Sequence, residues 1–115
     1  MEYGVSTKMF DDKRVKRLIQ EHNLRAYGVF RFTVDEIFSA GGKEGRVSMS
    51  DPKFQKRMEK ICNFSFKYVE GYIDDMVECG LLRYCTENGE NVTETTENVT
   101  KYVCLLQNEP LFINL

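Results

Sequence analysis

The chain has 115 residues, of which 42% are hydrophobic and 30% are charged, and its formal net charge is −2 at pH 7. This size accommodates one domain with one core. No apolar run reaches the roughly 18 residues that a membrane span requires, and residues 1–14 lack the apolar segment of a signal peptide, so the sequence supports neither a membrane span nor secretion. We expect a cytoplasmic protein with a single domain over residues 1–115.

The charges are distributed unevenly along the chain. Residues 1–67 contain 14 Lys and Arg against 9 Asp and Glu, whereas residues 68–115 contain 2 against 9, so the two parts carry about +5 and −7. The basic part is able to face an anion such as nucleic acid, and the acidic part should be repelled from one. The same counts are explained equally well if the charged residues only form solvent-exposed faces of opposite charge.

Two amphipathic helices are predicted in the first 40 residues. Asp11 or Asp12 is able to cap a helix that runs to about His22, with apolar residues on one face and basic residues on the other. A second helix over Leu24–Ala40 carries a broad apolar stripe and ends at the glycine pair that follows it. So broad a stripe indicates the central helix of the core.

A short strand and a helix-turn-helix are predicted next. Residues 46–50 alternate between polar and apolar, as in a half-buried strand. Asp51-Pro52 opens a third helix, because Asp caps well and Pro suits the first helical position. A turn at Asn63-Phe64-Ser65 separates this helix from a fourth, which ends at Gly80. The exposed face of the third helix is basic at spacing i, i+3, i+4, i+7, with Lys53, Lys56, Arg57 and Lys60.

The apolar stripes of these helices converge on one predicted core. We expect it to contain Tyr27, Phe30, Val34, Ile37, Met58, Ile61, Val69 and Ile73. The cysteines are too far apart in sequence for paired CxxC ligation, and a reducing compartment disfavours disulfides. We therefore expect Cys62, Cys79, Cys85 and Cys104 to be buried thiols, with Cys85 facing Cys104 across a hairpin.

That hairpin is predicted from two apolar stretches, 81–86 and 101–106, which are typical of strands. The segment between them contains Glu87, Glu90, Glu94 and Glu97. We predict a long acidic hairpin whose chain reverses at Asn88-Gly89 or near Thr95-Thr96, with a disordered linker as the alternative. The remaining ends are predicted as a flexible N-terminus over residues 1–8 and a tail over residues 107–115.

The order of these elements is that of a winged helix-turn-helix with an extra N-terminal helix, an α+β fold in which the acidic hairpin is the wing. The residues "FDDKRVKRLIQEHNLRAYGVFRFTVDEIF" and "FSFKYVEGYIDDMVECGLL" resemble the N-terminal domain of phage and prophage replisome-organiser proteins, which is related in architecture to the DnaD N-terminal domain and is often catalogued as a domain of unknown function. The similarity covers about residues 9–85. It implies a role in DNA replication initiation, usually within a longer protein, so this chain is either a piece of one or a stand-alone relative.

The sequence contains no recognisable catalytic constellation. The segment Gly41–Gly45 lacks the Ser or Thr that follows Lys in a phosphate loop, and it precedes a strand rather than a helix. His22 is the only histidine, and we expect it to be a partly buried cap or core residue. The adjacent carboxylates Asp35/Glu36 and Asp74/Asp75 point in different directions on a helix. We expect a non-enzymatic protein without a small-molecule substrate, cofactor or metal.

Two functions remain. In the first, the module binds DNA weakly through charge, with two basic helix faces on the phosphates and the start of the fourth helix in the major groove. The phosphate-binding residues would be Lys13, Arg14, Lys16, Arg17, Lys53, Lys56, Arg57 and Lys60, and the groove residues Ser65, Lys67, Tyr68 and Tyr72. Carboxylates later in the fourth helix and in the wing oppose this binding.

In the second function, the same scaffold is a protein-interaction module. The acidic wing, or the apolar tail Leu111-Phe112-Ile113, would contact a replication protein or a second copy of the chain. A winged-helix fold is compatible with either function. The resemblance favours the nucleic-acid-associated one.

Overall fold

Three helices and two small antiparallel sheets form the structure, a computed structural model that describes residues 2–92 and 100–114. The elements in chain order are β1 (Tyr3–Val5), α1 (Lys13–Ser39), β2 (Arg46–Ser48), α2 (Pro52–Cys62), α3 (Phe66–Glu78), β3 (Leu82–Cys85), β4 (Tyr102–Leu105) and β5 (Phe112–Asn114). Single 3₁₀ turns at Met9–Asp11 and Gly42–Glu44 flank α1. The fold is therefore α+β, as the sequence predicted.

The first long helix, α1, joins the two helices predicted before residue 41 across a kink at Asn23. Asp12 caps its start, because the carboxylate accepts hydrogen bonds from the backbone N–H groups of Arg14 and Val15. Asn23 has a φ of 75°, outside the helical region, and its side-chain oxygen accepts from the N–H groups of Arg25 and Ala26. One asparagine thus ends the first half of α1 and caps the second.

The third and fourth predicted helices are present as α2 and α3. Asp51 caps α2 by accepting from the N–H of Lys53, and Pro52 occupies the first helical position. Asn63 ends α2 in the left-handed conformation, with a φ of 61°. After two further residues α3 begins, and it ends before Gly80, whose φ is 80°.

A three-stranded antiparallel sheet has the order β2-β4-β3, so the last of its strands in sequence lies in the middle. Leu82 pairs with Leu105 and Cys85 pairs with Tyr102. The predicted proximity of two cysteines is confirmed, because the Sγ atoms of Cys85 and Cys104 lie 3.3 Å apart.

The acidic segment turns back at its beginning. Gly89 has a φ of 84° and its N–H donates to the Thr86 carbonyl, so the predicted turn at Asn88-Gly89 is present. The chain then runs antiparallel to β3, with a bridge between Cys85 and Asn91, on the edge of β3 opposite β4. Arg83 donates to the Gly89 carbonyl and to the Asn91 side chain. The alternative turn near Thr95-Thr96 lies outside the described residues.

The two ends of the chain pair with each other, where the sequence predicted a flexible N-terminus and a tail. β1 and β5 are antiparallel, with Val5 opposite Phe112. The Tyr3 ring stacks on Phe38 with centroids 4.3 Å apart. Leu111 and Phe112 are only 4% and 7% exposed, so most of the apolar tail is part of the core rather than a free interaction segment. The pairing joins strands of three residues at opposite ends of the sequence, which no local pattern reveals.

The core contains most of the residues predicted for it. Six of the eight are buried, namely Phe30, Val34, Ile37, Met58, Val69 and Ile73. Tyr27 is half-buried and packs against the core. The prediction for Ile61 is wrong, since it is 55% exposed and lines a groove between α1 and α2 instead of filling it.

The cysteines divide between the core and its edge. Cys79, Cys85 and Cys104 are buried, as predicted. Cys62, the last residue of α2, is only half-buried, so the prediction that all four thiols are buried is wrong for that residue. Among the helices in the described ranges, none has a stretch long and apolar enough to cross a lipid bilayer.

Candidate nucleic-acid interface

The outer face of α2 presents three lysines to solvent. Lys53, Lys56 and Lys60 are all exposed. None of them forms an ion pair with a carboxylate in the described part of the chain. We call these three residues the α2 lysine strip. Their positive charges are available to an external anion.

Arg57, the fourth predicted cation of this helix, is engaged by α1. Its Nε donates to Glu36 Oε1 at 2.8 Å, and the Glu36 carboxylate is 17% exposed. This pair links the last turns of α1 to α2. Arg57 would have to leave Glu36, or share it, to contact a phosphate.

The predicted groove residues lie at the start of α3, and three of them are accessible. Ser65 and Lys67 are exposed, and Tyr68 is 66% exposed. Tyr72 is half-buried, because its ring packs 5.9 Å from that of Phe64. Tyr68, Tyr72 and Phe64 line a small cleft of about 180 Å³ together with Arg25. The aromatic rings and one cation therefore lie together.

A carboxylate occupies the N-terminus of α3. Glu59 Oε2 accepts a hydrogen bond of 2.8 Å from the backbone N–H of Phe66, while the Ser65 side chain makes no capping bond. Sequence reasoning missed this role, since Glu59 lies on the preceding helix and matches no local capping pattern. The positive end of the helix dipole is already balanced there, so an external phosphate has less to gain at this end.

The remainder of the outer face of α3 is acidic. Glu70 and Asp74 are exposed. Asp74 Oδ1 accepts a hydrogen bond of 2.5 Å from the Tyr84 hydroxyl. Burial and the bonded carboxylate raise the pKa of Tyr84 well above its usual value, so the phenol remains a proton donor over the physiological range. The carboxylate of Asp74 is thereby held beside the sheet.

The predicted cations in the first turns of α1 divide into accessible and engaged residues. Lys13 and Lys16 are exposed. Arg14 donates to Asp12 at 2.9 Å, to Glu109 at 2.6 Å and to the Gly80 carbonyl at 3.0 Å. The Arg14 hydrogen bond also lowers the pKa of Asp12.

Arg17, the last of the predicted α1 cations, is engaged by two carboxylates. It contacts Glu21 at 3.1 Å and Glu78 at 3.4 Å. Arg14 and Arg17 thus tie α1 to other parts of the fold.

The two predicted phosphate-binding groups are not brought together. Arg14 lies beside Gly80, just past the end of α3, whereas Arg57 lies beside Glu36 near the end of α1. The cations of residues 13–17 and those of α2 therefore belong to opposite ends of α1. Only the α2 lysine strip adjoins the turn that leads into α3.

Comparison with protein-family models, curated proteins and solved structures finds no match to this chain. The resemblance to replisome-organiser domains therefore rests on the quoted sequence motifs. Function is inferred below from the arrangement of charged and aromatic residues on α2 and α3.

Proposed function

We propose that the chain is a non-enzymatic winged-helix module that binds nucleic acid weakly through charge, in the DNA-replication setting that the resemblance implies. Its element order and the strand order β2-β4-β3 support a winged helix, with α2 and α3 as the helix-turn-helix and the β3–β4 connection as the wing. In that arrangement the first helix of the pair crosses the nucleic-acid backbone and the start of the second approaches the bases.

The α2 lysine strip carries this proposal. Lys53, Lys56 and Lys60 are exposed on one helix and are without an ion-pair partner among the described residues. Neutralising phosphates releases condensed counterions, which is the main source of sequence-independent affinity. Three adjacent lysines are enough for weak binding and too few for tight binding.

The surroundings of the strip keep the affinity low. Glu59 occupies the start of α3, and Glu70 and Asp74 follow on its outer face. Carboxylates at these positions oppose deep insertion of α3 into a groove, because they approach the phosphates. Base contacts are then left to Lys67 and to the exposed ring of Tyr68, which suits stacking on an unpaired base.

The test is a salt titration of binding to random-sequence duplex and single-stranded DNA, followed by fluorescence anisotropy. The variant Lys53→Gln/Lys56→Gln/Lys60→Gln should bind more weakly than the wild type on every sequence. Its plot of log affinity against log salt should be shallower by about 0.9 for each duplex phosphate that the variant no longer neutralises.

A matched control replaces Lys8, Lys13 and Lys16 with Gln. These residues are also exposed, and the net charge changes by the same amount. The control should retain most of the wild-type affinity. Equal weakening by both variants would show that binding follows total charge rather than the α2 strip. An absence of DNA binding at low salt in the wild type would refute the proposed function.

The acidic segment supplies a second test of the same geometry. Glu87 and Glu90, the two of its four glutamates within the described ranges, are exposed. If this segment opposes phosphates, Glu87→Gln/Glu90→Gln should bind DNA slightly more tightly, through a field that is screened over about 8–10 Å. Unchanged affinity would place the segment away from the nucleic acid.

A second candidate function is self-association through the groove between α1 and α2. This groove has a volume of about 560 Å³, and its apolar lining includes Phe32 and the exposed Ile61. Asp35 and Glu36 lie on its α1 side, and Arg57 and Lys60 lie on its α2 side. A two-fold-related copy would present the same charges in the opposite order, which suits an isologous contact.

Light scattering across a range of protein concentrations tests this second function. A dimer that Ile61→Asp converts to a monomer, together with wild-type DNA affinity near zero, would favour the interaction module. A monomer at all concentrations would remove this candidate.

A further inference from the structure

The one histidine of the chain lies in a cluster of side chains that are able to bind a metal ion, between α1 and the end of α3. Ligand atoms of Glu21, His22 and Cys79 all lie within 4.8 Å of one another. Glu21 and His22 are adjacent on α1, and Cys79 immediately follows α3. No sequence motif indicates this cluster, because 57 residues separate His22 from Cys79.

The environment of His22 indicates which ring nitrogen faces the cluster. Nδ1 lies 3.3 Å from Asp75 Oδ2, and Nε2 lies 3.8 Å from Glu21 Oε2. Nε2 is buried and has no hydrogen-bond partner among the described residues. A buried polar atom without a partner is costly, and a bound metal ion would satisfy it.

The ligand set determines the class of ion. A thiolate, an imidazole and a carboxylate together suit Zn²⁺, which accepts sulfur, nitrogen and oxygen ligands at about 2.0–2.3 Å in tetrahedral geometry. The four-coordinate ion would complete its shell with water. Asp75 beside Nδ1 matches the carboxylate–histidine–zinc arrangement, in which an outer carboxylate fixes the orientation of the ligating ring.

We propose that Glu21, His22 and Cys79 form a zinc site that joins α1 to the end of α3, with Asp75 as a positioning residue for His22. Cys79 is 6% exposed, whereas the Glu21 side chain is 47% exposed, so the ion enters from the Glu21 side. Binding is independent of the proposed DNA contact, because no residue of the α2 lysine strip takes part.

Arg17 competes with the ion for one of its ligands. Its Nε contacts both carboxylate oxygens of Glu21, at 3.1 Å and 3.2 Å, and its guanidinium also reaches Glu78 at 3.4 Å. Zinc binding must therefore loosen the Arg17–Glu21 pair. Arg17→Gln should consequently raise the affinity for zinc, which is the opposite of what a loss of structure would do.

The experiment is a titration of chelator-treated protein with ZnCl₂ in competition with a chromophoric chelator, repeated with CoCl₂. The expected result is one ion per chain and a thiolate-to-cobalt absorption band. Cys79→Ser should remove the band. Asp75→Ala should weaken zinc binding by about 10–100-fold, as the loss of an outer carboxylate does, and His22→Gln should weaken it further, because it removes a ligand.

Cys62→Ser is the matched control, because it removes the half-buried thiol, which lies outside the cluster, and should leave the stoichiometry and the cobalt band unchanged. Circular dichroism of each metal-free variant checks that it folds. The proposal is overturned if the wild type binds no zinc at a one-to-one ratio, or if binding persists unchanged in Cys79→Ser. If Cys79→Ser does not fold, the wild-type spectrum still tests the proposal, because the absence of a thiolate-to-cobalt band would overturn it.

Discussion

The first turn of α1 and the outer face of α2 are both basic, but Arg14 of α1 and the three lysines of α2 have opposite environments. Arg14 is surrounded by Asp12, Glu109 and the Gly80 carbonyl, and the Glu109 side chain is only 2% exposed. Lys53, Lys56 and Lys60 are all exposed to solvent. The difference separates a cation that holds the fold together from cations that are available to a partner.

The position of the partners explains why the two regions differ. Glu109, which pairs with Arg14, is 95 residues away in the chain and lies in the segment that leads into β5. The pairing of β1 with β5 therefore brings the nearly buried carboxylate of Glu109 to Arg14. No described carboxylate approaches the α2 lysine strip in the same way, so its charges remain solvated.

The largest effect is expected at Arg14. Arg14→Met should lower the free energy of unfolding by about 3 kcal/mol, because it leaves the carboxylate of Glu109 buried without its partner. Urea denaturation measures this loss as a lower midpoint with an unchanged slope.

The matched change on the other region is Lys56→Met. Lys56 is exposed, and its replacement should change the free energy of unfolding by less than about 0.5 kcal/mol. If the two variants are equally stable, the Arg14 network contributes no more than a surface ion pair, and the contrast between the regions is lost.

A smaller effect is expected at Asp12, and it should depend on pH. Asp12→Asn preserves the helix cap but removes the charge that faces Arg14, so it should cost about 1 kcal/mol at pH 7. The hydrogen bond from Arg14 lowers the pKa of Asp12 in the folded protein. The ionised Asp12 carboxylate therefore stabilises the folded protein above about pH 4, which is the ordinary pKa of Asp. This stabilisation is lost as the pH falls through the lowered pKa.

The measurement is the difference in unfolding free energy between Asp12→Asn and the wild type from pH 7 down to pH 2. Asp35 and Asp75 have pKa values that are raised by burial, so they change the stability with pH in the opposite direction. Their contributions are the same in both proteins and cancel in the difference. A difference that is constant with pH would contradict the role given to the Asp12 charge.

The helices were predictable because their boundaries are encoded locally. Asp51-Pro52 starts α2 and Gly80 follows α3, and each signal acts within a few residues. The pairing of β1 with β5 could not be predicted, because each strand has three residues and the two lie at opposite ends of the chain. Ile61 was assigned to the core because it shares a face with Met58, but helical spacing does not show whether another element covers that face.

The candidate interface was predictable only in part for the same reason. The spacing of Lys53, Lys56 and Lys60 shows that they share a face, and this face is exposed. Sequence does not distinguish them from Arg14 or Arg57, whose carboxylate partners come from distant segments. The carboxylate of Glu59 at the start of α3 was missed because the turn between the helices brings it there.

The smallest effect concerns repulsion within the α2 lysine strip. Lys56 lies three residues from Lys53 and four from Lys60, which repel it, and three residues from Glu59, which attracts it. Each such pair changes the stability of a helix by about 0.2–0.5 kcal/mol. Lys56→Gln removes two repulsive pairs and one attractive pair, so it should stabilise the protein by about 0.3 kcal/mol at low ionic strength, since Gln and Lys have similar helix propensities. The gain should vanish near 1 M salt, where the screening length falls to about 3 Å.

Thermal unfolding at both salt concentrations measures this gain, with Lys16→Gln as the control. Lys16 lies four residues after Asp12, which attracts it, and three residues after Lys13, which repels it. The two effects nearly cancel, so the control should show little change in stability at either salt concentration. A Lys56→Gln variant that is no more stable than the wild type at low salt would mean that a neighbouring carboxylate already neutralises the strip. The α2 lysines would then resemble Arg14 after all, and their charges would be committed to the fold rather than available to a partner.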